Sequence, residues 1–488
     1  MLLFTAIMLP ILGSILIALF PGKYPRTRQI IVLLVVLLTS VFALSAVFTP
    51  PEGRFPIVLF VNNLSLSLRL DGLGRIFGGL VAVLWPMATL YAFEYMKHDA
   101  NPRSFFMFYT MTYGVTLGIA FSEDMLTMYF FYELLTLCTL PLVLHTRTRE
   151  AVLASRKYLY YSLGGAAFAF LGLVYLMMYG VSVDFQLGGV LTPETIAQRG
   201  DILLVIYVIA FLGFSVKAAM FPFSGWLPTA GVAPTPVTAL LHAVAVVKAG
   251  AFALIRLTYY SFGADFLRGT WAQSVVMGLT ILTIIYGCSR ALKETHFKRR
   301  LAWSTVSNLS YILFGVTIMT PLGLAGAITH LVCHAFMKIT GFFCAGAVIH
   351  QTERQYVHQL NGLGRSMPAI FGCFTVASLA LMGVPGLAGF ISKWSLAQAA
   401  IQSGSPLAAA GAGALLISAL LTACYLLSIV VRAFFPPADF DERSLEGVRD
   451  PGWMMLVPIF LLAGVVIFLG LCSTPLLQFI AGVAGGQI

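Results

Sequence analysis

Apolar runs of about 20 residues recur along the whole chain, the length a helix needs to cross ~30 Å of hydrocarbon. A bilayer offers no partner for open backbone groups, so each such run is expected to be helical. The runs fall near 2–20, 29–49, 73–95, 105–121, 124–145, 158–181, 201–225, 232–258, 270–292, 301–319, 322–350, 366–399, 405–432 and 453–479. Of 488 residues, 59% are hydrophobic and 10% charged, which leaves no polar remainder to cover a soluble surface. The expected fold is therefore an all-α polytopic membrane protein of about fourteen transmembrane helices. The first run begins without a basic n-region or a small-residue cleavage site, so no cleaved signal peptide is expected.

A net charge of +10 could suggest nucleic acid, but its distribution argues otherwise. Nineteen of the 29 basic residues lie after odd-numbered runs, among them Lys23, Lys97, Arg147, Arg149, Lys298, Arg299 and Arg300. Six lie after even-numbered runs: Arg54, Arg69, Arg75, Arg199, Arg256 and Arg268. This asymmetry follows the positive-inside rule, so odd loops face the cytoplasm, both termini face the outer side, and no nucleic-acid partner is expected. The seven cysteines, Cys138, Cys288, Cys333, Cys344, Cys373, Cys424 and Cys472, are scattered through apolar runs without a CxxC pair. They read as small buried hydrophobes rather than zinc or iron–sulfur ligands. No GxGxxG or phosphate loop precedes a helix.

The four remaining basic residues, Lys217, Lys248, Lys338 and Lys393, fall inside apolar runs. Glu133 reads as the only acid deep in one; Glu94 sits near a run end, and Glu123 and Asp124 open the fifth run. Charge at membrane depth costs several kcal/mol, so five such residues require a reason. A buried lysine can snorkel to the interface or lock two helices through a carboxylate. One carboxylate cannot neutralise four ammonium groups, however. Burial disfavours the charged form, so neutral lysine is reachable near physiological pH, and a lysine that gains and loses a proton is a proton carrier. His330, His334 and Lys338, each four residues apart, form a ladder on one helical face with a rise of about 6 Å per step. His242 lies six residues before Lys248, off its face but able to share an axis through water. His350, at a run end, reads as interfacial.

Two runs are interrupted beside a lysine. Lys217 precedes Pro222 and Pro228, and Pro385, Gly386 and Gly389 precede Lys393. Proline removes a backbone donor, and freed carbonyls are tolerated at membrane depth only beside protein or a wet cavity. Two broken helices about five runs apart suggest an inverted repeat with ion sites near the midplane.

Four stretches, FFYELLTL, VKAAMFPFSGWLP followed by VAPTPVTALLHAVAVVKAG, FKRRLAWSTVSNLSYI, and GVPGLAGFISKW, occur in this order over roughly residues 70–430. In them the chain resembles the antiporter-like membrane subunits shared by respiratory complex I, membrane-bound hydrogenases and Mrp-type cation/proton antiporters. The resemblance implies a Glu133–Lys217 pair, Lys248 as central connecting lysine, His330, His334 and Lys338 as a polar ladder, and Lys393 as terminal lysine. It implies N-terminal helices in 1–104, inverted five-helix halves in 105–258 and 270–432, and a final helix in 453–488. The chain departs from the family's PxHxWLPDAH pattern: Ser224, Thr229 and Gly231 replace two histidines and an aspartate. An access route through those side chains is not expected. The resemblance is to the shorter members, so the long lateral helix of the family's longest complex I member is not expected, and the twelfth run carries lysine where one shorter member has glutamate.

The implied function is proton translocation within a multisubunit complex, in a bacterial or archaeal cytoplasmic membrane beside other membrane subunits, further antiporter-like ones included. A redox-driven pump of the complex I or hydrogenase type is the first expectation. This chain then holds no cofactor, and flavin and iron–sulfur clusters lie in partners. A D-like subunit of an Mrp-type Na+/H+ antiporter is the alternative, and a proton-coupled subunit of inorganic-carbon uptake a weaker one. A single deep acid favours H+ over Na+. Residues 54–70 read as a small hairpin on the outer face. Residues 433–450 read as a solvated cytoplasmic loop, with partner docking the alternative.

Overall fold

The structure, a computed structural model, describes residues 1–19, 25–60, 64–438 and 440–485. Lys23 of the first basic loop, the middle of the hairpin at 61–63, and the last three residues of the final segment lie outside the described residues. The chain is almost wholly helical: α1 Leu2–Leu19, α2 Pro25–Phe48, α3 Gly72–Tyr95, α4 Pro102–Ala120, α5 Met125–Val143, α6 Arg149–Tyr179 and α7 Pro193–Ser215. There follow α8 Thr235–Phe262, α9 Trp271–Lys293, α10 Phe297–Thr317, α11 Pro321–Thr352, and α12 in two halves, α12a Pro368–Met382 and α12b Ala388–Gln402. The last are α13 Pro406–Phe434, α14 Trp453–Leu471 and the short α15 Thr474–Ala484. One hairpin pairs β1 Phe55–Leu59 antiparallel with β2 Ser65–Leu68.

Helix starts follow local chemistry. Asp71, Asp124, Thr148, Thr192, Thr270, Thr320 and Ser405 each accept a backbone N–H of the turn they open. Proline stands in the first turn of α4, α7, α11, α12a and α13, where its missing N–H leaves no bond unmade.

Among the described residues, eleven helices are long and apolar enough to cross a membrane, fewer than the fourteen runs expected. The difference has physical causes. α10 opens with Lys298, Arg299 and Arg300 and continues through serines and an asparagine, and it is buried almost throughout by its neighbours. α12 is divided at Gly383–Leu387, so neither half is long enough alone. Of the helices on expected runs, α4 is the third outside the eleven. The run expected at 453–479 also divides, into α14 and α15.

Burial separates centre from rim. α8 is buried along its whole apolar stretch and α11 along 94% of it, whereas α1, α2, α6 and α13 bury only 39%. The centre therefore includes α8 and α11, which carry most of the buried bases, together with α10. Small residues allow tight approach elsewhere: a Cβ on Gly213 of α7 would meet the α6 backbone at Ala169 N, 2.4 Å away.

Candidate functional site

Lys217 lies just past the end of α7, where the chain unwinds through Ala219 (φ 56°) and a cis Phe221–Pro222 bond into a short helix, Trp226–Ala230. Backbone groups released there find partners: Trp226 Nε1 donates to the Val216 carbonyl at 2.8 Å, and Phe221 N–H donates to Thr283 Oγ1 at 3.1 Å. The Lys217 side chain is buried, its Nζ 3.7 Å from Glu133 Oε1 and 3.3 Å from the Tyr132 ring centre. The same Nζ donates to the Tyr132 carbonyl. Glu133 keeps a quarter of its side chain exposed, so the pair sits at the edge of the chain rather than in its middle.

α8 is itself broken, a third interruption that its sequence does not announce with a proline beside the lysine. Its first part, Thr235–Ala243, and its second, Val246–Ile255, are separated at Val244 and Ala245, and a π-helical turn, Arg256–Phe262, ends it. The break turns Lys248 toward α11, where its Nζ bonds to His334 Nδ1. The His334 and His330 rings stack at 5.6 Å, and His330 Nδ1 lies 2.9 Å from Ser392 Oγ on α12b. Lys338, one step along the same face, turns to α10 and donates to the Leu301 carbonyl at 3.0 Å and Ser304 Oγ at 2.7 Å. His242 stands apart. It is fully buried, with neither ring nitrogen hydrogen-bonded, and its ring packs 4.7 Å from Phe342.

In α12, Gly383 (φ 93°) and Gly386 (φ 84°) carry the chain through the break around Pro385. Lys393 of α12b reaches back to α12a, donating to the Leu381 carbonyl at 2.6 Å and the Met382 carbonyl at 3.1 Å. Its Nζ lies 5.2 Å from the Tyr311 ring centre, and that ring is 5.2 Å from His330. Tyr311, held by Ser418 at 2.7 Å, thus links the α11 ladder to Lys393.

Two continuous groups result: Glu133 with Lys217, and Lys248–His334–His330–Tyr311–Lys393 with Lys338 beside it. Pro222 and Pro228 flank the first break and Pro385 the second, as their spacing implies. Motif reading missed Tyr132, Tyr311, Ser304 and Ser392, because a tyrosine or serine in an apolar run is too common to stand out.

Several charge assignments need correction. Arg256 is not a loop cation: it is fully buried and pairs through both terminal nitrogens with Asp71 at 2.5 and 2.6 Å. Three aromatic rings, Phe185, Phe252 and Tyr260, surround it within 5.0 Å. Lys298, counted as a loop charge, is also buried and donates to the Ala233 carbonyl at 2.8 Å. Glu123 and Asp124, which open α5, are buried beside the hairpin. Burial pushes the Glu123 carboxyl above its ordinary value, opposed by Arg54 at 3.1 Å and Arg69 at 3.9 Å. Cys424 and Cys472 lie exposed on the rim, unlike the other five cysteines. Two described contacts tie the largely exposed 433–450 loop to the chain: Arg365 pairs with Glu442 at 2.9 Å, and Asp450 accepts the Ala369 and Ile370 N–H groups.

Comparison with known proteins agrees with this architecture. Residues 122–422 match the family described as NADH:quinone oxidoreductase/Mrp antiporter, transmembrane. The NADH-quinone oxidoreductase subunit N of Desulforudis audaxviator is 31% identical over 82% of this chain and 80% of its own length. A probable K(+)/H(+) antiporter component of Rhizobium meliloti is 30% identical over 80% of this chain but only 39% of its own length. In solved structures, the fold is similar to one chain of the Mrp complex from Dietzia sp. DQ12-45-1b, with a TM-score of 0.84 at 22% identity, covering 99% of this chain and 97% of that one. The matched core holds every lysine and histidine of the two groups, and the chain belongs to the NADH:quinone oxidoreductase/Mrp antiporter transmembrane family.

Proposed function

We propose that this chain is the proton-translocating, antiporter-like subunit of a multisubunit membrane complex. The observation that carries the reading is the series of amines, imidazoles and one tyrosine in successive contact from buried Lys248 on α8, through α11 and Tyr311 of α10, to half-buried Lys393 on α12b. Stability alone gives little reason for it, since a buried base without a carboxylate costs free energy. Groups that exchange a proton account for it.

Mechanistically, the Glu133 carboxylate holds Lys217 protonated at 3.7 Å. Because Glu133 reaches the edge of the chain, a neighbouring protein or a change in nearby charge can draw it away. Lys217 then loses that stabilisation and passes its proton inward to Lys248. From there the proton moves through His334 and His330 to Lys393 and leaves at the α12 break. The driving quantity is the difference in stability between the two pair states, a few kcal/mol per switch.

The chain is read as fourteen spans with inverted halves at 105–258 and 270–432, flanked by N-terminal helices in 1–104 and a closing segment in 453–488. Odd loops face the cytoplasm of a bacterial or archaeal cell, and both termini lie outside. The parent complex is read as a redox-driven pump whose flavin and iron–sulfur clusters lie in partner subunits; the likeness to a quinone oxidoreductase component supports this. The likeness to an Mrp chain supports the second reading, a cation/proton antiporter without redox chemistry.

The test is Lys217→Ala in the intact complex reconstituted into liposomes, with internal pH followed by a dye. Translocation should be abolished with assembly intact; normal pumping would sink the scheme. Iron and flavin assays on the purified complex separate the two parents, since a cation/proton antiporter contains neither.

A further inference from the structure

α2 and α4 run side by side in the same direction. Ser40 Oγ and Tyr113 Oη lie 2.7 Å apart along them. Both helices end beside the start of α3, where Arg75 Nε donates to the Val47 carbonyl at 2.8 Å and the Arg69 N–H to the Phe121 carbonyl at 2.9 Å. Twelve residues back from Ser40 stands Arg28, and twelve back from Tyr113 stands Asn101, so the first turns of the two helices open at one height. Those turns carry Arg26 and Arg28 on α2 and Arg103 on α4, and neither holds an acid.

These cations have no counter-charge within the chain. Arg28 is only 7% exposed, yet its Nε makes no hydrogen bond. It shares its face of α2 with buried Val32, Val35 and Thr39, so its side chain points in toward the neighbouring helices, and the Arg103 charge repels it there. Among the described residues no carboxylate lies within ion-pairing distance of Arg26, Arg28 or Arg103. The acid nearest to Arg103 in sequence, Asp99, is engaged by the Asn101 N–H at 2.8 Å and by His145 at 2.9 Å. The two helix ends add positive charge of their own, and α4 opens on Asn101 without a side-chain cap. A buried guanidinium without a counter-charge is strongly destabilising, so this place calls for an anion from outside the chain. Helix N-termini and arginine forks together suit a phosphate group.

An apolar stripe leads away from the cluster. Arg26 heads it, and Ile30, Leu34, Leu38 and Val41 continue it along the outward face of α2, all of them exposed. We infer that the openings of α2 and α4 form a binding site for the headgroup phosphate of an anionic phospholipid, held by Arg28 and Arg103, with Arg26 at its rim and an acyl chain along the α2 stripe. A free phosphate would meet the same arginines but leave the stripe uncovered. Anionic lipid is attracted to basic residues that flank membrane helices, and α2 and α4 both begin on the face that carries the basic loops. The site lies outside the matched residues 122–422 and does not depend on the proton-translocation reading.

The deciding experiment treats the purified intact complex, in neutral detergent, with a phosphatidylglycerol that carries a photoreactive group near its headgroup, and maps the label by peptide mass spectrometry. Label is expected within 25–34 or 102–111. Unlabelled phosphatidylglycerol should displace it, whereas phosphatidylcholine with the same chains and inorganic phosphate should not. In a variant combining Arg28→Gln with Arg103→Gln, label at these residues should fall at least about tenfold. Displacement by inorganic phosphate assigns the arginines to a free phosphate and overturns the lipid site. Equal displacement by phosphatidylcholine reduces the contact to bulk lipid and overturns it too. Absence of label at these residues, or full labelling of the double variant, does the same; the first result would mean that another subunit covers the cluster. Should the double variant fail to assemble, the position of the label and its competition in the unmodified complex decide.

Discussion

Lys393 donates to the carbonyl of Leu381 at 2.6 Å, so the second half of α12 caps the first. The last α12a carbonyls lie at the negative end of its dipole; those of Leu379 and Ala380 accept from the Gly383 and Val384 N–H groups, and those of Leu381 and Met382 from Lys393. The broken helix is therefore tolerated because a lysine returns to it, and the break gives that lysine a site favourable to its proton.

That double role can be separated. Lys393→Met should remove translocation and also cost about 1–3 kcal/mol, because the α12a carbonyls lose their donor. Lys393→Arg should recover most of the stability and none of the translocation. Thermal unfolding of the purified complex and dye-based proton flux read the two effects independently.

Glu133→Gln keeps the size of the side chain and removes the charge 3.7 Å from Lys217. The ammonium form of Lys217 then loses its main stabilisation, and proton flux should fall at least about tenfold with unfolding temperature little changed. Flux at the original level would mean that the pair is structural only.

The Arg256–Asp71 pair should behave as a unit. Removing either partner alone leaves a buried charge uncompensated, at a cost of about 3–5 kcal/mol. Arg256→Met combined with Asp71→Asn should cost clearly less than the two single changes added together, because the double change leaves no charge uncompensated; Asn keeps the cap on Gly74 N–H at 2.9 Å in both the single and the double variant. A double-mutant cycle on unfolding temperature measures the coupling; additive losses would contradict it.

Gly389→Ala tests the crossing of the two α12 halves. A Cβ there would fall 1.7 Å from the Ala380 carbonyl oxygen, a backbone atom with no room to retreat. The expected cost is at least about 3 kcal/mol, seen as loss of assembled protein. Gly413→Ala on α13, where nothing lies within 4 Å of the added carbon, should express normally and serves as the control.

Much of the site was legible because membrane cost makes a buried charge conspicuous. Lys217, Lys248, Lys338 and Lys393 stand out against apolar surroundings, and the spacing of His330 and His334 already places them on one face. Arg256 and Lys298 were misread for the converse reason. Both lie near run ends, where a loop charge and a buried charge look identical in sequence. Only Asp71, distant along the chain, and Ala233, through its backbone carbonyl, disclose that they are enclosed.

The sequence by itself determined the membrane class, the helical character of each run and the residue types that can exchange protons. Hydrocarbon imposes these locally, through run length and the cost of charge. Tertiary structure decided which bases touch. The break at Val244–Ala245 directs Lys248 to His334 and leaves His242 apart, and the α12 break brings Lys393 to Leu381 and Tyr311. Those contacts depend on helix crossings and backbone turns between segments far apart in the chain, which no local pattern encodes.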